Sequence, residues 1–222
     1  MIIRILRSNY TILGLFAPYG IDNFKLDTFS LNFQYRGKKR FMMNTICYAA
    51  FLRGINVSGK TRIKMVDLKD AFESMGFKNV RTLLASGNVV FDSEDESEKI
   101  LTEKIESGLK NVFNRDIAVI LRSIDHLKKL QSLKPFEGIE VTPDIRMYVT
   151  FFSKKAQPHT ITVPYTSPQK AFTILNETSM EVFSTVDISK GRGTPELMNF
   201  LEKEYGSNLT TRSWGTVLKI LK

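Results

Sequence analysis

An α+β fold that opens, from about residue 43, with a β-α-β-β-α-β run is predicted by three observations. A near-continuous apolar run, Ile46 to Leu52, is followed after a polar loop by a helical stripe. Two short β-rich runs flank Ser86-Gly87. A second helical stripe then feeds a further apolar run, Ile117 to Leu121. Apolar residues at a period near 3.6 mark helices and short unbroken or β-branched runs mark strands, so the periods alone give the order of elements. That order is the ferredoxin-like split βαβ unit.

Taken in order, Ile46-Cys47-Tyr48-Ala49-Ala50-Phe51-Leu52 lacks polar alternation and reads as a central strand covered on both faces. Val66, Leu68, Ala71, Phe72 and Met75 mark the next helix, which stops at Gly76, a residue suited to a left-handed cap. Val80 to Ala85 and Asn88 to Phe91 are expected to form a hairpin, with Gly87 supplying positive φ. Ser93-Glu94-Asp95-Glu96 carries the cap and acids of a helix start, followed by Ile100, Leu101, Ile105, Leu109 and Val112 on one face. Leu121 to Leu133 reads as a short helix with a basic side, and His126 as a surface residue.

Beyond Pro135 and Pro143, the runs Arg146 to Phe152, Ala171 to Leu175 and Met180 to Thr185 predict a second, mostly antiparallel sheet. Thr194-Pro195-Glu196 is a helix start, and Leu197, Phe200, Leu201 and Tyr205 give its buried side. Thr211 to Lys222 ends the chain, with Trp214, Val217, Leu218 and Leu221 on one face. The expected division is a leader over 1–42, a ferredoxin-like half over 43–133, and a C-terminal α+β half over 134–222 packed on it.

The stretch Gly54-Ile55-Asn56-Val57-Ser58-Gly59-Lys60-Thr61 spells the phosphate-loop pattern G-x-x-x-x-G-K-[ST]. A true phosphate loop opens directly into a helix whose free amides hold the phosphate. Thr61-Arg62-Ile63-Lys64 carries no helical stripe, Leu121 is followed by Arg122 where a magnesium-ligating acid is expected, and a hairpin stands where a parallel crossover should. A nucleotide hydrolase is therefore disfavoured. The topology instead puts the loop after strand one, the Ser86-Gly87 hairpin and the Asn114-Arg115-Asp116 connection at one end of the sheet. Arg53, Asn56, Lys60, Ser86 and Asn88 converge there as a candidate anion site: two cations for charge, two amides and a hydroxyl for direction. Asn56 and Asn88 equally suit bracing the turns through backbone contacts. Arg212, beside a cap-like threonine and Trp214, suits a fork onto a core acid or a ligand anion.

Three words of sequence resemble a bacterial family known as domain of unknown function 1697. They are Phe51-Leu52-Arg53-Gly54-Ile55-Asn56-Val57-Ser58-Gly59-Lys60 with Lys64-Met65, then Ala85-Ser86-Gly87-Asn88-Val89-Val90-Phe91, and Thr210-Thr211-Arg212-Ser213-Trp214-Gly215-Thr216-Val217. The resemblance covers roughly Met43 to Lys222. It implies a small cytoplasmic α+β protein with a ferredoxin-like half and transfers no catalytic residue. Ser58 and Ser213 depart from its usual glycine and asparagine.

Composition narrows the function classes. One cysteine, Cys47, excludes an internal disulfide, and two histidines without a cysteine pair give no zinc-type spacing, so no cofactor or metal is expected. Of the +9 formal charge, residues 1–42 contribute +5 from seven basic and two acidic residues, leaving 25 basic against 21 acidic, +4, for the remainder. Residues 1–42 show neither sustained period, and translation is expected to start at Met42 or Met43. No run approaches the roughly 18 apolar residues of a membrane span. The partners expected are a small anionic ligand or nucleic acid rather than a membrane. Single-stranded RNA calls for exposed aromatics on the sheet, for which Tyr48 and Phe91 are candidates. An enzyme on a small phosphorylated or carboxylated substrate, and a partner-binding or structural protein, are the alternatives.

Overall fold

The computed structural model describes residues 45–56, 62–94, 96–153 and 160–222. Lys60, His159 and residues 1–42, expected above to be a leader, lie outside them. The elements run β1 (Thr45–Leu52), α1 (Met65–Ser74), β2 (Lys78–Leu83), β3 (Asn88–Glu94), α2 (Glu98–Phe113), β4 (Val119–Ser123) and α3 (Ile124–Ser132). They continue with β5 (Ile145–Phe152), β6 (Tyr165–Thr166), β7 (Phe172–Glu177), β8 (Glu181–Asp187), α4 (Thr194–Tyr205), β9 (Leu209–Ser213) and α5 (Trp214–Ile220). The first sheet has the order β2-β3-β1-β4 and the second β6-β7-β8-β5-β9, antiparallel throughout. The fold is therefore α+β, and its first six elements are β-α-β-β-α-β.

The unbroken apolar run of β1 is explained by what lies on its two faces. Tyr48, Ala50 and Leu52 point into a core closed by Leu68 and Phe72 of α1 and Leu101, Ile105 and Leu109 of α2. Ala49 and Phe51 point the other way, into a core shared with Val149 and Phe151 of β5, Phe183 of β8, Leu127 and Leu130 of α3, and Val217 and Ile220 of α5. The two sheets thus pack face to face, while α4 closes the outer face of the second through Leu197, Leu201 and Tyr205. Tyr48 and Phe91 are 5% and 0% exposed, so neither offers a stacking platform for a base. Among the described residues no helix is long and apolar enough to cross a membrane.

Several local expectations shift by a residue or two. Ser97, not Ser93, caps α2, its side chain accepting from the Ile100 amide, because Ser93 and Glu94 still belong to β3. Val66, Ile100 and Val112 lie off the buried stripes and are exposed. Thr211-Arg212-Ser213 is the end of a strand rather than the start of a helix, and Ser213 caps α5 by accepting from the Thr216 amide.

The sequence reading missed an internal duplication. The series β5, β7, β8, α4, β9, α5 repeats β1, β2, β3, α2, β4, α3, and β7-β8-β5-β9 repeats the order β2-β3-β1-β4, with β6 added at the edge. Register agrees residue by residue: Arg122 faces Ala49 and Ser123 faces Tyr48 in one half, while Arg212 faces Val149 and Ser213 faces Tyr148 in the other. Both serines then cap the following helix. The counterpart of α1 is absent among the described residues of the second half, where the crossover carries the cis Val163–Pro164 bond and β6 instead.

Candidate functional site

At the C-terminal end of β1 the chain turns at Gly54 and Asn56, both with positive φ (63° and 55°). Asn56 holds this turn by three hydrogen bonds. Its Oδ1 accepts from the Ile63 amide at 2.7 Å, and its Nδ2 donates to Ile63 O at 3.0 Å and to Ala85 O at 2.8 Å. One side chain therefore ties the strand-one loop to itself and to the hairpin tip. The backbone closes the same end: Leu52 N donates to Gly87 O and Arg53 N to Ala118 O, each at 2.8 Å. The loop, the hairpin and the connection before β4 meet at one end of the sheet, as the strand directions require.

The hairpin turn spans Leu84 to Gly87, with positive φ at Leu84 (57°) and Gly87 (79°). Gly87 is required twice over. A Cβ there would sit 2.6 Å from Ile55 Cδ1 and 3.0 Å from Leu52 Cβ, and its φ is one that side-chain-bearing residues avoid. Asn88, fully buried, donates through Nδ2 to Leu83 O at 2.9 Å and Ser86 Oγ at 3.0 Å.

Behind the tip lies Arg212, 8% exposed. Its Nε donates to Asn88 Oδ1 at 2.6 Å, its Nη1 to Thr210 Oγ1 and Thr211 O at 2.8 Å, and its Nη2 to Leu52 O at 2.7 Å, with longer contacts to Ser86 O and Gly87 O. Its guanidinium also lies over the Phe51 ring, 5.6 Å from the centroid. Every acceptor is neutral, and among the described residues no carboxylate pairs with it. Burial alone pushes its pKa down to about 10, so it keeps its charge at neutral pH.

Arg53 differs in kind. Its Nη2 meets Glu202 Oε1 of α4 at 2.8 Å with both side chains part-exposed, a pair that solvent screens and a competing anion can displace. Arg62 and Lys64, which flank the clamped Ile63, are exposed cations that sequence reasoning did not single out. The signal was available in their spacing around an inward apolar residue. Of the expected site residues, Arg53, Asn56, Ser86, Asn88 and Arg212 meet at one end, with Asn56, Asn88 and Arg212 building it and Arg53 facing out.

The duplication supplies a second such end. Arg122, in the place of Arg212, donates through Nη1 to Leu121 O at 2.7 Å and through Nη2 to Phe152 O at 2.8 Å and Met180 O at 3.1 Å. Its guanidinium lies over Phe151, 5.5 Å from the centroid. Here Nε meets a carboxylate, Glu181 Oε1, at 2.6 Å, and Glu181 also receives His126 Nε2 at 3.0 Å and Thr178 Oγ1 at 2.7 Å. Burial pushes the Glu181 carboxyl up, but the His126, Arg122 and Thr178 donors outweigh it and hold its pKa below the ordinary value. Among the described residues no group of three or more His, Cys, Asp or Glu is placed to hold a metal ion.

Fold and site together define a class: a duplicated α+β protein whose two ferredoxin-like sheets pack face to face, each pinned by a buried arginine. The model of the family described as "Protein of unknown function (DUF1697)" matches residues 43–173, and the chain belongs to that family. Among solved structures, the conserved bacterial protein SP0830 from Streptococcus pneumoniae is similar in fold, with TM-score 0.54 and 19% identity, over 81% of this chain and 100% of that one. A comparison with curated proteins gives no match.

Proposed function

We propose that the chain is a binding protein for an anionic ligand, a nucleotide, a phosphate or a nucleic-acid backbone, at the end of the first sheet where the strand-one loop meets the hairpin tip. The observation that carries the reading is the Asn56 clamp, which ties Ile63 and Ala85 to the turn after β1 and so fixes the backbone that bears Arg53, Arg62 and Lys64. Fixed loops with convergent cations capture anions because the ordering cost has been met during folding. Arg53 is exchangeable between Glu202 and a ligand, since an exposed ion pair is worth only about 0–1 kcal/mol. Lys60, from the phosphate-loop-like word, is the further cation this reading calls on.

The test is thermal unfolding with inorganic phosphate, pyrophosphate, nucleoside phosphates and a short single-stranded oligonucleotide, since a ligand bound only by the folded state raises apparent stability. The reading expects at least one to raise the midpoint, with the effect weakened by R53A and K60A together and by added salt. No shift with any of them, or shifts indifferent to the double substitution, sinks it.

A further inference from the structure

Among the described residues, polar chemistry not yet accounted for lies in a groove of about 670 Å³ beside Asn79, Asp92 and Lys104, in one of about 470 Å³ between α2 and the free edge of β4, and in the difference between the two buried arginines. The first holds an internally bonded Asn79–Asp92 pair. In the second the outward β4 groups are already engaged, with Val119 N donating to Glu106 and Leu121 O accepting from Arg122. The arginines carry an inference, because the duplication sets each as the control for the other.

The two guanidiniums make matching bonds: Nη1 to the carbonyl of the preceding residue, Nη2 to the last carbonyl of the neighbouring half's first strand, and Nε to the first residue of the strand that follows the hairpin turn. Only the last partner differs in charge. It is Glu181 for Arg122 and Asn88 for Arg212. We propose, building on the anion-binding reading, that Asn88 is a selectivity residue: by presenting an amide where the other half presents a carboxylate, it leaves the buried Arg212 charge uncompensated and makes the hairpin end selective for oxyanions.

Arg212 acts without touching ligand. Its Nη2 bonds point at the Leu52 carbonyl that ends β1 and the Ser86 and Gly87 carbonyls of the tip, so its field emerges there. A charge within a poorly polarisable interior is screened far less than a surface charge. The exposed cations Arg62 and Lys64 add to the same sign, and Arg53 does so once an anion displaces Glu202. At the opposite end Glu181 cancels Arg122, so the fold itself does not demand an uncompensated guanidinium. Burial lowers the Arg212 pKa, the direction expected for a buried cation with no carboxylate beside it.

The experiment titrates inorganic pyrophosphate into the wild type, R53A, N88D and T210D at low and at physiological salt, reading affinity by calorimetry and folding by circular dichroism. N88D and T210D each set a carboxylate on the guanidinium, from the Nε side and from the Nη1 side respectively. N88D gives up donors to Leu83 O and Ser86 Oγ, so T210D serves if N88D does not fold. The expected result is a loss of roughly tenfold in pyrophosphate affinity in the folded carboxylate variant, persisting at physiological salt. Affinity within twofold of the wild type in that variant overturns the selectivity role. If R53A weakens binding while the carboxylate variant does not, the site stands and Arg212 has no part in it. If the wild type itself does not bind pyrophosphate, the selectivity role falls, while the anion-binding reading falls only if the other phosphates and the oligonucleotide also fail to bind.

Discussion

Phe51 and Phe151 stack with ring centroids 4.4 Å apart and planes 11° from parallel, at equivalent positions of the two first strands. Each ring also carries the arginine of the other half over its face, Arg212 over Phe51 and Arg122 over Phe151. The core between the two sheets thus holds a stacked pair of phenylalanines, each capped by the other half's cation, and neither sheet buries its inner face without the other.

The first prediction concerns cooperativity. F51A and F151A each remove a side chain that is 0% exposed and should cost about 3–5 kcal/mol in urea unfolding. A double-mutant cycle should return a coupling of about 0.5–1.5 kcal/mol from the ring contact. Fluorescence at Trp214 and far-ultraviolet circular dichroism should give coincident transitions, because the shared core leaves no sheet to unfold alone.

The second prediction follows from Glu181. Its folded-state pKa lies below the unfolded value of about 4.5, so its stabilising contribution is complete above that value and is lost as pH falls through the folded pKa. Wild-type stability should therefore drop below pH about 4.5 more steeply than that of E181Q, which has no carboxylate to protonate at this position. E181A at neutral pH strands Arg122 without its anion and should cost about 3–5 kcal/mol, measured by denaturant unfolding.

A third prediction isolates the hairpin. G87A meets both a φ of 79° and a contact of 2.6 Å with Ile55 Cδ1, and should lose about 2–4 kcal/mol from the combined backbone and overpacking costs. I55A relieves the contact but not the dihedral, so G87A introduced on the I55A background should cost less than on the wild type. G54A, with φ 63° and open space around its Cβ, should show the backbone cost alone, about 1 kcal/mol.

Element types were legible in the sequence because burial imposes period. The unbroken apolar run of β1 announced a strand covered twice, and the second sheet covers it. Boundaries slipped where one serine could serve two elements: Ser93 and Ser97 both suit a helix cap, and only the pairing of Thr45 with Glu94 shows that β3 runs past the first. The duplication escaped because each half needs only apolar residues at matching positions, and few identities survive between them, among them Tyr48 with Tyr148, Phe51 with Phe151, Val89 with Val182, and Arg122-Ser123 with Arg212-Ser213. Convergence of the loop and hairpin followed from strand directions. The neutrality of the Arg212 acceptors did not, because they are the Asn88 amide, the Thr210 hydroxyl and backbone carbonyls at positions 52, 86, 87 and 211, which one-dimensional spacing does not reveal.

The last prediction separates the Asn56 side chain from its backbone. With φ at 55°, position 56 suits glycine, so N56G keeps the turn while deleting the bonds to Ile63 N, Ile63 O and Ala85 O. At about 1 kcal/mol per net hydrogen bond, N56G should lose about 2–3 kcal/mol, and N56A more because it adds dihedral strain. Amide exchange gives the sharper reading. The Ile63 N–H, whose partner is Asn56 Oδ1, should lose protection in N56G while the β1–β3 amides keep theirs, since the ladder from Thr45 to Phe51 is independent of the clamp. If Ile63 stays protected, the loop is held by something other than Asn56, and the pre-ordering on which anion capture depends must come from elsewhere in the loop.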